Sequence, residues 1–301
     1  MKRLLTLTLF AFATISVMAQ TLNAGSYNIR MHSKVDYKTG DGWTERRDIM
    51  CDVIAFTAYD IFGAQEVCHD QLEYMLSRLP EYDYIGVARD DGKTKGEYSP
   101  VFYRRDRFEL LDSGTFWLSE TPNEVSFGWD ANCRRVCSWG HFKDKQTKKK
   151  FWFFNTHMDH IGKVARVEGA KLVISKIQQM CGKGARVILT GDFNVAQGSP
   201  AYNTFAESNL LKDAFELAPI KFAPAGTFNS FKVANHSDKR IDHIFVSEVE
   251  VLRYGILTYH YWSDNSGEQS TLKDAPKELS AQLRSVHLPS DHYPLQVIVE
   301  L

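Results

Sequence analysis

No apolar run in this 301-residue chain is long enough for an ordinary membrane span. The longest, Leu4 to Met18, falls short of the roughly 20 residues that a spanning helix needs. It follows Lys2 and Arg3 and leads into Val17-Met18-Ala19, which offers a cleavage site. Residues 1–19 are therefore expected to be a signal peptide, cut near Ala19 and leaving an exported periplasmic or extracellular product. No cysteine sits at that junction, which argues against a lipid-anchored mature end. Net charge is scarce too: −1 overall, and −3 once the two positive charges of Lys2 and Arg3 are removed. That is not the basic balance of a protein that clings to bulk nucleic acid, although a local basic groove stays open. Cysteine is sparse and odd in number, at five, so at least one thiol is unpaired. The spacing of Cys133 and Cys137 leaves a disulfide open, but no second pair follows to suggest zinc. Mostly buried free thiols are expected. Repeats, low-complexity segments and Pro/Ser-rich linkers are all missing, so residues 20–301 are read as one domain.

What is present is an ordinary globular composition, 44% apolar and 24% charged, with strands and helices interleaved. Leu72, Met75, Leu76 and Leu79 share one helical face, and Pro80 stops that helix. Thr44 to Ala58 carries Ile49, Val53 and Phe56 on one side, with Thr44 as the expected N-cap. Lys163 to Cys181 carries Val167, Ala170, Ile174, Ile177 and Cys181 at 3–4 spacing, followed by Gly182 as C-cap candidate. Strands are expected at "LNAGSYNIR", "DIFGAQEV", "VFYRRDRF", "SGTFWLS", "SWGHFKD", "FWFFNTHMDH", "ARVILTGDFN", "KRIDHIFVS" and "YPLQVIVEL". "YGILTYHYW" also reads as a core strand, and "KDKQTKKK" as a solvated hairpin turn. "RVILT" and "FWFF" are nearly continuous apolar runs, so their sheet should be covered on both faces. Two stacked sheets with helices outside each, a layered α/β sandwich, fit this pattern.

The strand ends are unusual. "SYNIR" brings Asn28, "FGAQEV" Glu66, "FFNTHMDH" Asn155, His157 and Asp159, and "TGDFN" Asp192 and Asn194. "RIDHIF" places Asp242 at a strand start, and "LPSDHYP" sets Asp291 and His292 before the last strand. One such residue is normally a turn or capping group. So many beside core strands need another reason, because an unpaired buried polar group costs roughly 1–3 kcal/mol. Converged, they would make a pocket of hard oxygen donors and imidazoles. Glu66, Asp192, Asp291 and the amide oxygen of Asn28 suit Mg²⁺ or Mn²⁺. No thiolate cluster or HExxH helix competes for zinc. Such an ion offsets charge on a phosphoryl group during in-line displacement, and the imidazoles activate water or touch phosphate.

In their order and over residues 26–294, "SYNIR", "GAQEV", "NTHMDH", "TGDFN", "RIDHIF" and "SDHYP" resemble the motifs of the endonuclease/exonuclease/phosphatase superfamily. The resemblance implies a four-layer αββα sandwich of two mixed sheets, with the site at one sheet edge. It implies that Glu66 is the principal metal ligand, with Asn28 in support and Asp291 as a metal-side carboxylate. It implies that Asp192 orients or deprotonates the attacking water, that Asn194 contacts phosphate or metal, and that His292 and Asp242 form a dyad. His157 matches a phosphate-contacting histidine, and Glu97, seven residues before Arg104, its expected partner. "CRRVCSW" resembles an arginine-bearing segment of an exported bacterial branch; Arg135 would bind substrate phosphate, with Arg134 as the alternative. The expected activity is Mg²⁺- or Mn²⁺-assisted hydrolysis of a phosphodiester or phosphomonoester by a monomer without an obligate protein partner. The substrate is left open among a small molecule, a lipid head group and a nucleic acid. A secreted nuclease and a catalytically silent binding protein on the same fold are the alternatives.

Overall fold

The computed structural model describes residues 21–263, 269–271, 274–276, 278–282 and 284–301. The expected signal peptide lies outside them. In chain order the first elements are β1 (Thr21–Asn28), α1 (Trp43–Thr57), β2 (Ile61–Gln65), α2 (His69–Arg78), β3 (Tyr82–Ile85) and β4 (Val101–Arg104). There follow β5 (Phe108–Trp117), β6 (Val136–Asp144), β7 (Lys150–His157), α3 (Lys163–Cys181), β8 (Val187–Asp192) and α4 (Pro200–Ala206). Next come β9 (Lys212–Asp213), α5 (Ala214–Leu217), β10 (Ile220–Phe222), β11 (Asp242–Ser247) and β12 (Glu250–Ile256). The chain ends with the short β13 (Tyr261–Trp262), β14 (Gln269–Thr271), β15 (Ser280–Gln282) and β16 (Val286–His287), then β17 (Leu295–Glu300).

Two mixed sheets form, ordered β10-β12-β17-β1-β2-β4-β3 and β5-β6-β7-β8-β11-β9. Adjacent side chains on a strand face opposite ways, and the apolar runs use both directions. Phe153 and Ile188 point into the cluster between the sheets, with Leu22, Ile61 and Val297. Their neighbours Phe154 and Leu189 point the other way, onto Val173 and Ile177 of α3. On the far side, Phe62 and Phe102 pack with Met50 and Ile54 of α1 and Met75 of α2. Three apolar layers thus separate four structural layers, helix–sheet–sheet–helix.

Several expectations shift. "VFYRRDRF" is not one strand: the chain turns after Arg104, and β4 and β5 lie in different sheets. "YGILTYHYW" divides as well: Tyr254 and Ile256 are core, whereas Trp262 is more than half exposed. α1 begins at Trp43 after Gly42, whose N–H donates to the Glu45 carboxylate at 2.8 Å, so Thr44 is not its cap. Its buried face is Trp43, Arg46, Met50, Val53 and Ile54, and Phe56 faces solvent. The β6–β7 connection over 145–149 is the turn expected from "KDKQTKKK". All five cysteines are free thiols, with Cys51 and Cys137 buried.

Candidate active site

Strand direction gathers the polar tips. β1 and β2 run parallel, with Asn28 beside Gln65, so Glu66 leaves its strand next to Asn28. β7 and β8 also run parallel, with His157 beside Asp192. β11 is antiparallel to β8 and starts there, so Asp242 is the cross-strand partner of Asp192. Carboxyl ends of parallel strands from both sheets therefore meet at one edge, the usual position for ligands in α/β folds.

The side chains close the gap between the sheets. The Asn28 amide donates to Glu66 Oε1 at 3.0 Å and to Asp192 Oδ2 at 3.0 Å. Glu66 Oε2 accepts the Met31 N–H at 3.1 Å. Asp192 Oδ1 accepts the Asn194 N–H at 2.9 Å, and the Asn194 amide donates to Met158 O at 3.0 Å. Glu66 and Asn194 both have left-handed backbones, φ 62° and 50°. Such strain concentrates at functional sites, where the surroundings hold it in place. Two imidazoles face Asp192 Oδ2: His157 Nε2 at 3.6 Å and His292 Nε2 at 3.8 Å. His292 Nδ1 is 2.8 Å from Asp242 Oδ2, which fixes the ring and makes the dyad.

Burial and crowding set the charges. Burial works to raise the Glu66 carboxyl, but the Asn28 hydrogen bond, His292 and the Met31 N–H outweigh it and hold the group low. Asp192 is pushed up to about 7, by burial and then by repulsion from Asp242. Asp291 is pushed up to about 6, again by burial, which outweighs the pull of His292 and is helped by repulsion from Glu66. Burial opposes the charge on His292, yet Asp242 and Asp192 raise it well above the usual imidazole range. His157 is held well below that range by burial and by Arg135 and Arg89.

The comparisons with known proteins fit this geometry. The Endonuclease/Exonuclease/phosphatase family pattern matches residues 25–292. The chain belongs to that family. Its members include hydrolases of phosphoester bonds. A Bacteroides thetaiotaomicron mannosyl-6-phosphatase superposes with a TM-score of 0.84 at 45% identity, covering 93% of this chain and 100% of that one. The human nocturnin catalytic domain shares the fold, with a TM-score of 0.65 at 19% identity over 93% of each chain. Among curated proteins, Xenopus laevis nocturnin is 24% identical over 77% of this chain and 61% of its own length. An uncharacterized mimivirus protein is 27% identical over 69% of this chain and 81% of its own.

For a family member, some expected contacts are rearranged. The Asn28 amide oxygen does not face the cluster but accepts the Arg30 N–H at 3.0 Å, so Asn28 braces the carboxylates through its NH₂. Asp291 faces Arg30 Nη1 at 3.6 Å, and the close ligand groupings do not include it. Glu97 does lie beside His157, whose Nδ1 is 3.8 Å from Oε2, too long for a hydrogen bond, and its closer partner is an arginine. The Arg89 guanidinium holds both Glu97 oxygens at 2.7 Å, a two-pronged ion pair that an imidazole cannot match. Of the arginine doublet, Arg135 is the buried one, 3.1 Å from His160 Nδ1, with its Nε 3.6 Å from Asp159 Oδ2 and its Nη1 without a hydrogen-bond partner. Arg134 instead lies over Phe127 and near Asp90. Two other polar tips are architectural. Asn155 bridges the sheets, donating to Ala64 O at 2.7 Å and Pro100 O at 2.9 Å. Asp159 accepts four backbone N–H groups, from Asn132, Cys133, Ile161 and Gly162. Sequence reading missed Arg30, which closes "SYNIR" without a role in that motif, and Arg89, which sits in a loop outside the quoted motifs.

The residues fit a divalent cation. Glu66, His157 and Asp192 each offer a ligand atom within 4.8 Å of the others, as do Asp192, Asp242 and His292. The raised Asp192 and Asp291 show buried negative charge in excess, which a hard cation would relieve. A third grouping, Cys133, Asp159 and His160, has its carboxylate already taken by those four N–H groups.

Proposed function

We propose that this protein is a Mg²⁺- or Mn²⁺-dependent phosphatase that hydrolyses a phosphomonoester on a sugar after export from the cytoplasm. The observation that carries the reading is the meeting of Glu66, Asp192, His157 and the Asp242–His292 dyad at one buried edge. The sugar class is supported by the mannosyl-6-phosphatase, at 45% identity. Export is supported by the signal-peptide pattern of residues 1–19.

Hydrolysis forms a bond from water oxygen to phosphorus and breaks the bond from phosphorus to the sugar oxygen. The water gives up its proton to Asp192, and the sugar oxygen takes one from solvent, to which Asp192 returns its own. Asp192 orients the water and accepts its proton; the Asn28 and Asn194 contacts fix that carboxylate. His292, held as a cation between Asp242 and Asp192, donates to a phosphoryl oxygen. His157 stays neutral beside Asp192, and the Arg135 guanidinium, with Nη1 free of hydrogen bonds, stabilises the phosphoryl charge. A divalent cation held by Glu66 and Asp192, with His157 in reach, would supply charge offset on the transferring group.

The test is product release with Mg²⁺ from mannose 6-phosphate, bis(4-nitrophenyl) phosphate and plasmid DNA, with Glu66→Ala and His292→Ala as controls. The reading expects phosphate from the monoester and loss in both variants. Cleavage of DNA or diester alone would favour a nuclease. No turnover together with no cation binding would favour a binding protein. Export is checked by mass spectrometry of the mature chain, expected to begin near Gln20.

A further inference from the structure

We infer that the cavity beside His292, bounded by Arg30, Asp36, Asp41, Phe228, Phe231 and Asp291, seats the pyranose ring that carries the phosphate. The inference rests on the phosphatase reading of the same site and adds the residues that select the substrate. The cavity holds about 470 Å³, within the range of small-molecule sites.

Its aromatic wall is placed against the catalytic dyad. Phe228 is 44% exposed, high for a phenylalanine, yet its ring meets His292 edge-on with centroids 5.0 Å apart. Phe228 also forms a β-bridge with His292. A ring lying on Phe228 is therefore held next to the imidazole.

The loop that presents this wall is strained and tied down. Ser230 and Phe231, neither of them glycine, are both left-handed at φ 56°. The Asn229 and Ser230 N–H groups donate to Asp291 O at 2.8 and 3.1 Å. Asn229 Oδ1 accepts the Phe231 N–H at 2.8 Å, and its amide donates to Ser290 O at 3.2 Å. All of these anchors lie in the loop itself or in the segment that carries His292. Strain kept by such surroundings points to a functional placement of the two rings.

The polar part of the remaining lining is of mixed charge, with Asp36, Asp41 and Asp291 beside Arg30, Lys232 and His287. Arg30 clasps Asp36 at 2.9 and 3.1 Å, and Asp41 Oδ1 is 3.2 Å from His287 Nδ1. Carboxylates of this kind accept hydrogen bonds from hydroxyls, and the phenylalanine faces take the apolar C–H face of the ring. A neutral polyhydroxylated ring satisfies both. A nucleic-acid strand would bring further phosphates to Asp36 and Asp41, and an acyl chain would leave the polar groups of the lining unused.

The experiment compares wild type, Phe231→Ala and Asp41→Asn with Mg²⁺, using KM for mannose 6-phosphate and the inhibition constant of inorganic phosphate. We expect KM to rise at least tenfold in both variants while the phosphate constant stays within twofold. Unchanged KM in both variants overturns the inference, and so does equal weakening of phosphate inhibition, which would mark a structural role. Asp41→Asn keeps side-chain size, so it serves if Phe231→Ala does not fold. Wild-type release from 4-nitrophenyl phosphate but from no sugar phosphate overturns the subsite and leaves the phosphatase centre standing. If neither is hydrolysed, the phosphatase reading fails. Calorimetry of mannose 6-phosphate then decides the subsite: binding lost in Phe231→Ala supports it, and no binding to wild type overturns it.

Discussion

In the proposed reaction Asp242 acts only through His292, which lies 2.8 Å away. Asp242→Asn keeps the shape but removes the charge that holds the imidazole cation and its tautomer. We predict a fall in kcat of about 10²- to 10⁴-fold, the usual share of acid–base assistance, with KM nearly unchanged by steady-state kinetics. Arg135 is buried against Asp159, and its Nη1 has no hydrogen-bond partner, which leaves it open to an anion. Arg135→Ala should lower kcat about 10²- to 10³-fold, as loss of one charge-stabilising donor does elsewhere. Sequence named both residues, because each sits within a recognisable motif. It put Glu97 beside His157 but missed the stronger partner, because Arg89 reaches that carboxylate from a loop whose path has no period to read.

At the scale of elements, the sheets can approach at the site only because β2 carries Gly63. A Cβ there would lie 2.2 Å from Asn155 Oδ1 and 2.3 Å from Thr190 Oγ1. Those same atoms accept and donate the hydrogen bonds that tie β2, β7 and β8 together. Gly63→Ala should therefore cost about 1–3 kcal/mol by overpacking, seen as a lower urea midpoint at unchanged m. Elements with a strong period were legible: α3 spans the residues its pattern indicates, and β8 runs where "RVILT" stands. The face of α1 was not, because its innermost residue is an arginine. Arg46 is fully buried, with its guanidinium donating to the carbonyls of Ile29, Arg30, Asp41 and Pro289. An apolar count passes over such a residue and selects Phe56 in its place. The short β9, β10 and β13 to β16 carry too few residues to show alternation.

For the molecule as a whole, His243 ties stability to pH. Its Nε2 lies 2.9 Å from Val195 O, and burial, then the Arg240 charge, holds it down to about 4 against an ordinary 6.5. The folded state keeps this ring neutral, so its contribution is complete above 6.5 and is lost as pH falls toward 4. The loss amounts to about 3 kcal/mol, measurable as a falling urea midpoint between pH 7 and 4 that His243→Gln makes shallower. The larger claim is that two sheets, whose strands interleave along the chain, unite their polar ends around one cation. Phosphate release from mannose 6-phosphate against Mg²⁺ concentration, after chelation, in wild type and Glu66→Ala, tests this most directly. The account predicts no release without the ion, full recovery on its return, and a requirement at least tenfold higher in Glu66→Ala. Release that survives chelation, or the same ion requirement in both proteins, would contradict it.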